Sequence, residues 1–75
     1  MLDPNDARYY WLRAEVSANL GELKKAEADY TRAIDLSPKA QFLRGRAAVR
    51  SRLGLTKLAE EDLEKAQSAD NNTRN

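Results

Sequence analysis

Apolar residues recur at helical spacing along the chain, in four stretches separated by short turns. Within each stretch they fall three or four positions apart, which places them on one face of an α-helix. The second stretch is the clearest, with an apolar stripe at Leu23, Ala26, Tyr30, Ala33 and Ile34. The pattern predicts four amphipathic helices, over about 4–20, 22–36, 38–53 and 56–69.

The residues between the stretches favour helix ends. Gly21 and Gly54 each follow a leucine that closes an apolar run, a position where a left-handed residue commonly ends a helix. Asp3-Pro4 and Ser37-Pro38 combine a capping residue with a proline, which predicts that the first and third helices begin at these prolines. Because the turns are short, neighbouring helices should form antiparallel hairpins. The polar residues after Asp70 predict a frayed tail over 71–75.

Composition supports a helical protein. Strand-forming residues are scarce, with two Val, one Ile and three Thr in 75 residues. Hydrophobic residues at 41% and charged residues at 33%, with a net charge of +1, are too apolar and too balanced for a disordered chain. The sequence therefore predicts an all-α fold in a single small domain covering residues 1–75.

The absence of two residue types argues against an enzyme. The chain contains no cysteine and no histidine, which removes thiol chemistry, the commonest general base and the commonest metal ligand. It also lacks a glycine-rich phosphate-binding loop. We therefore expect no catalytic residue, no metal site and no cofactor.

Hydropathy gives no sign of a membrane segment. No apolar run approaches the roughly 18 residues that a transmembrane helix needs. The lack of cysteine is compatible with a reducing compartment such as the cytoplasm, but it does not identify one.

The chain contains an internal repeat. When residues 7–37 are aligned with 40–70, a shift of 33 positions, 11 of 31 residues are identical. The identical residues of the first copy are Ala7, Arg13, Ala14, Val16, Leu20, Gly21, Lys24, Ala26, Glu27, Asp29 and Ala33. They include the turn glycine and the small residues of the apolar faces, so one helical hairpin is used twice.

The spacing of the repeated residues resembles the tetratricopeptide repeat, a helix-turn-helix unit of 34 residues. The matching positions of the first unit are Tyr10, Ala14, Gly21, Ala26, Tyr30, Ala33 and Pro38. Those of the second are Leu43, Ala47, Gly54, Ala59, Leu63 and Ala66. The resemblance implies two stacked antiparallel hairpins, a fragment of an α-solenoid, with repeat 1 over about 4–37 and repeat 2 over about 38–70. Ser17 and Arg50 stand where the family favours tyrosine, which should weaken packing between the helices.

Repeat arrays of this type usually need about three units for stability. Residues 2–5 match residues 36–39 and read like the tail of a preceding unit, so we expect the chain to be a piece of a longer array. Gln67 and Ala69 replace Ile34 and Leu36 in the second unit. This more polar last turn is typical of a terminal repeat.

Two oppositely charged pairs occupy equivalent positions. Arg13 and Asp29 lie 16 residues apart, as do Arg46 and Asp62. Each pair could form a polar binding site or an ion pair that fixes one helix against the next. The ion pair is the favoured interpretation, because partly buried charges require a partner.

The resemblance also implies a binding groove, lined by the first helix of each unit. By position, the groove residues would be Arg8, Trp11, Glu15, Asn19, Gln41, Arg44, Ala48 and Arg52. Arginines around a tryptophan would suit an acidic or carboxylate-bearing segment. We therefore expect a protein-interaction scaffold that binds a peptide or a partner helix.

Several alternatives remain open at this stage. The third stretch carries five basic and no acidic residues, at Lys39, Arg44, Arg46, Arg50 and Arg52. It could bind nucleic acid, or it could be a solvated face neutralised by acidic neighbours. The chain could also be a structural segment that self-associates through exposed repeat faces. Trp11 could be exposed in the groove or packed against neighbouring residues.

Overall fold

The computed structural model describes residues 3–73, and it confirms the all-α prediction. Four helices make up 81% of the described residues, which contain no strand. The helices are α1 (Ala7–Asn19), α2 (Leu23–Leu36), α3 (Ala40–Arg52) and α4 (Thr56–Thr73). Residue 2, the first residue of the expected preceding tail, lies outside the described residues.

Both hairpin turns have the predicted glycine geometry. Gly21 and Gly54 adopt φ angles of 80° and 82°, a left-handed conformation that side chains strongly disfavour. In the first turn the amide of Glu22 donates to the carbonyl of Ser17 at 2.9 Å. The second turn repeats this bond between Leu55 and Arg50 at 2.8 Å. These bonds satisfy carbonyls that a helix end would otherwise leave unpaired, so each turn ends its helix at a fixed point.

The predicted start of the first helix is wrong by three residues. The carbonyl of Asp3 accepts from the amide of Asp6 at 2.8 Å, which closes a turn before the helix. Asp6 then serves as the N-cap, and its carboxylate accepts from the amide of Arg8 at 2.9 Å. A second capping residue one turn after Asp3 therefore sets the start of α1 at Ala7.

The third helix also begins later than its proline. Ser37 has an extended backbone and ends α2, and Lys39 precedes the first residue of α3 without a capping side-chain bond. At the other end of the molecule, α4 continues to Thr73. It thereby includes three residues of the tail that was expected to be frayed, while residues 74–75 lie outside the described part.

The helices pack as two stacked hairpins. Helix α1 packs on α2 and α3 packs on α4, while α2 and α3 form the main contact between the hairpins. One buried cluster crosses this contact and contains Ala14, Ala26, Tyr30 and Val49. Alanines on the buried faces let the helix axes come close, as the apolar pattern predicts.

Gly45 allows a close approach between the two hairpins. The ring of Tyr30 lies directly over it, so that a Cβ on Gly45 would be only 2.4 Å from the Cε1 atom of Tyr30. Any residue with a side chain at position 45 would therefore require the Tyr30 ring to move. The glycine therefore seats α2 against α3.

Candidate functional site

The expected groove residues lie along α1 and α3, which run side by side. Near one end, the rings of Trp11 and Phe42 lie 5.9 Å apart at an angle of 34°. Near the other end, the Nη1 atom of Arg52 donates to the carbonyl of Ala18 at 3.1 Å. We call this surface the α1/α3 face, defined by Arg8, Trp11, Glu15, Asn19, Gln41, Arg44, Ala48 and Arg52. All eight side chains except Trp11 are exposed.

Trp11 is half-buried and packs against the core. Its ring contacts Phe42, which is completely buried, and it borders the cluster around Tyr30. Most of the Trp11 side chain is therefore packed against neighbouring residues rather than exposed in the groove. The exposed remainder of the side chain sits at the junction of α1 and α3, near one end of the face.

Arg8 holds the carboxylate of its own helix cap. Its guanidinium donates to Asp6 through Nη2 at 2.7 Å and through Nε at 3.2 Å. These hydrogen bonds lower the pKa of Asp6 from 3.8 to about 2. Both side chains are accessible to solvent, and exposed ion pairs contribute little to stability.

The other two arginines of the face are also engaged within the molecule. Arg44 pairs with Asp70 of α4 at 2.8 Å, with about half of each side chain exposed. Arg52 uses one donor for the carbonyl of Ala18 at 3.1 Å. Exposed contacts of this kind break at little cost when a competing carboxylate approaches.

Glu15 connects the face to the core. Its carboxylate accepts a hydrogen bond from the hydroxyl of Tyr30, whose ring is buried over Gly45. Burial raises the pKa of the Tyr30 hydroxyl, and the nearby Glu15 carboxylate raises it further. The acidic side chain of the face is therefore fixed in position by the core residue behind it.

The two equivalent charged pairs are ion pairs, as the favoured interpretation predicts. Arg13 donates to the carboxylate of Asp29 through two nitrogens, both at 2.9 Å. Arg46 donates to the carboxylate of Asp62 in the same two-nitrogen arrangement, at 3.0 and 2.7 Å. The environments differ, because 54% of the Arg13 side chain is exposed against 10% for Arg46.

Arg50 extends the second pair into a network. It donates to Asp62 at 3.0 Å and to Glu27 of the first hairpin at 2.8 Å. Arg46 adds a bond to the hydroxyl of Thr31 at 3.1 Å. The position at which the family favours tyrosine is thus filled by a side chain that bonds to both hairpins.

The sequence contained a signal for this network. Arg50 lies four residues after Arg46, so both side chains project from the same face of α3. Since Arg46 was already expected to face Asp62, Arg50 could have been expected to face it too. The bond between Tyr30 and Glu15 had no comparable signal, because it depends on how far the ring reaches across α1.

The network reduces the charge that α3 offers to a partner. Arg46 is buried, and only 16% of the Arg50 side chain is exposed. Both face acidic side chains of the same chain. The exposed arginines of α3 are Arg44 and Arg52, which is fewer than the sequence suggested.

The described part of the chain contains neither a metal-binding cluster nor a membrane-spanning helix. Across residues 3–73, no group of three or more acidic, histidine or cysteine side chains could hold a metal ion. Over the same residues, no helix has the length and apolar character needed to cross a membrane.

Comparison with known proteins identifies the first hairpin. The family model described as tetratricopeptide repeat matches residues 7–40, and the match begins at the first residue of α1. No curated protein and no solved structure matches the chain. Repeats of this family generally mediate protein–protein interactions and typically act as scaffolds without enzymatic activity. Residues 7–40 therefore match the tetratricopeptide repeat family, and the second hairpin has the same helix–turn–helix arrangement.

Proposed function

We propose that this protein is an interaction scaffold whose α1/α3 face binds an acidic peptide segment or an acidic partner helix. The observation that carries the proposal is the exposure of this face around the ring of Trp11, the only tryptophan of the chain. An aromatic ring that is packed on one side and accessible on the other can contact a partner at a low entropic cost.

The charge of the face favours an acidic partner. Three arginines, Arg8, Arg44 and Arg52, flank Trp11 against one acidic residue, Glu15. Glu15 is already engaged by the Tyr30 hydroxyl. The bonds of the arginines are exposed, so a carboxylate of the partner could replace them at little cost.

A titration with short peptides tests the proposal. Glutamate-rich and lysine-rich peptides of equal length are added to the protein, and binding is followed through Trp11 fluorescence. We expect a response to the acidic peptides alone. Replacement of two face arginines, Arg44→Gln with Arg52→Gln, should weaken binding about tenfold, because each lost pair is worth roughly 0.5–1 kcal/mol.

The matched control is the double variant Lys24→Gln with Lys25→Gln, which removes the same charge from the exposed surface of α2. Equal loss of binding in the two double variants would mean that only the net charge of the protein matters. That result would contradict the proposed face. Binding of a mixed-sequence DNA duplex tighter than the acidic peptide, with a steep salt dependence, would favour the nucleic-acid alternative. The burial of Arg46 and Arg50 removes support from that alternative.

A further inference from the structure

Two outer surfaces of the molecule have the residue pattern of its own internal contact. The internal contact joins α2 to α3. By the 33-residue shift, the outward surface of α1 is equivalent to the surface of α3 that contacts α2. The outward surface of α4 is likewise equivalent to the surface of α2 that contacts α3. We call these surfaces the α1 outer face, which contains Tyr9, Leu12, Arg13 and Val16, and the α4 outer face, which contains Glu60, Leu63 and Glu64.

Exposure differs sharply between equivalent residues. Val49 is 2% exposed at the internal contact, whereas Val16 is 59% exposed on the α1 outer face. Tyr30 is 2% exposed, whereas its equivalent Leu63 is 50% exposed. The same kinds of side chain are therefore buried where a neighbouring hairpin is present and open where none is. Leu12, which is 47% exposed, completes the open apolar surface of α1.

One pair of charges across the two outer faces is complementary in the register of the internal contact. Inside the molecule, Thr31 of α2 accepts a hydrogen bond from Arg46 of α3 at 3.1 Å. The equivalents of these residues are Glu64 and Arg13. A joint built in the same register would therefore replace a hydrogen bond from an arginine to a neutral hydroxyl with an ion pair, which is the stronger interaction.

The side-chain sizes also suit this register. Inside the molecule, the large ring of Tyr30 sits over Gly45, which has no side chain. The corresponding pair across the outer faces is Leu63 over Leu12. Two medium-sized apolar residues replace a large one and an absent one, and both lie open to solvent in the isolated chain.

We propose that the chain associates head to tail with a second copy of itself, the α4 outer face of one copy packing on the α1 outer face of the next. The joint reproduces the α2–α3 contact, with Leu63 against Leu12 and Glu64 paired with Arg13 of the partner copy. Contact between two α4 outer faces is disfavoured, since it would bring Glu60 and Glu64 together with their own copies.

A head-to-tail joint leaves one free face at each end, so it can add further copies. Association should therefore yield dimers and longer species as the concentration rises, rather than a closed dimer.

Sedimentation equilibrium of the whole chain at low salt, up to about 1 mM, tests the proposal. We expect the average mass to rise above that of one chain and to fall again when salt is added. A strictly monomeric chain across this range would overturn the proposal and leave the outer faces to neighbouring repeats of a longer polypeptide.

Two single variants test the polarity of the joint. Leu12→Gln alters the α1 outer face and Leu63→Gln alters the α4 outer face, and both positions are exposed, so the fold should survive. Each variant alone should be monomeric, because every joint would contain one altered face. An equal mixture should form a dimer that grows no further, from the intact α4 outer face of the first and the intact α1 outer face of the second. Association of either variant alone would contradict a head-to-tail joint.

A charge-matched pair of variants tests the register. Glu64→Lys should weaken association by about tenfold or more, because it places a like charge opposite Arg13. Glu61→Lys makes the same change at an exposed position of α4 outside the proposed joint. It should leave association within about twofold once its effect on net charge is allowed for. Equal effects of the two variants would contradict the register.

Discussion

Gly45 shows how one missing side chain fixes the spacing of two hairpins. An alanine in its place would normally stabilise an α-helix by about 0.5–1 kcal/mol. Here the added Cβ would lie 2.4 Å from one ring atom of Tyr30 and 2.6 Å from another. Overpacking of this kind costs about 1–3 kcal/mol. The clash should outweigh the helical gain, since the ring is buried and its hydroxyl is bonded to Glu15.

We therefore predict that Gly45→Ala lowers the free energy of unfolding by about 1 kcal/mol in urea titrations. The control is the same change in a Tyr30→Leu background, which introduces the residue that the second unit carries at this position. Without the ring, only the helical gain remains, so Gly45→Ala should stabilise the variant. The same sign in both backgrounds would show that the ring does not set the spacing.

This contact also marks a limit of sequence-based prediction. Tyr30 was expected on the buried stripe of α2, and it is buried. Gly45 gave no signal, because its equivalent in the first unit is Leu12 and the repeat comparison shows only a mismatch. Which residue meets a ring across two helices depends on their separation, and the periodicity of either helix alone does not contain that distance.

At the scale of the helix pair, equivalent ion pairs occupy different environments. Asp62 is completely buried and accepts from both Arg46 and Arg50. Asp29 accepts from Arg13, which is more than half exposed. Removal of one partner from a buried pair costs about 3–5 kcal/mol, because the remaining charge loses its compensation. An exposed arginine instead regains water.

Asp62→Asn should accordingly lower the free energy of unfolding by about 3 kcal/mol, whereas Asp29→Asn should lower it by about 1 kcal/mol or less. The two variants make the same chemical change at equivalent positions, so each serves as the control of the other. Urea unfolding at micromolar concentration measures both. Equal losses would mean that burial does not decide the strength of these pairs.

The elements themselves were largely predictable from sequence, while their edges were not. Apolar periodicity and the two glycines gave four helices and two hairpin turns, which the structure confirms. The prolines predict helix starts at Pro4 and Pro38, but α1 begins at Ala7 and α3 at Ala40. The choice between Asp3 and Asp6 as the N-cap depends on a local turn. Arg13 and Arg46 were paired correctly with Asp29 and Asp62 because a repeat presents the same relation twice.

At the scale of the whole molecule, the contact between the hairpins couples them into one folding unit. Tyr30 of the first hairpin and Val49 of the second belong to one buried cluster, and Trp11 borders it. A substitution at Val49 should therefore lower the stability of both hairpins. Small domains of this kind usually unfold in a single transition. Trp11 fluorescence and far-ultraviolet circular dichroism should then report the same midpoint.

Val49 and Val16 offer the sharpest test of this view, because they are the same residue at equivalent places with exposures of 2% and 59%. Replacement by alanine gains a few tenths of a kcal/mol of helix propensity at either position. At Val49 the lost packing should dominate, and the free energy of unfolding should fall by about 1–2 kcal/mol. At Val16 little packing is lost in the monomer, so Val16→Ala should be neutral or slightly stabilising at micromolar concentration. A comparable loss at both positions would mean that the contact between the hairpins is not what distinguishes them. The difference between the two valines thus measures what a neighbouring hairpin contributes to a unit that cannot bury its own surface.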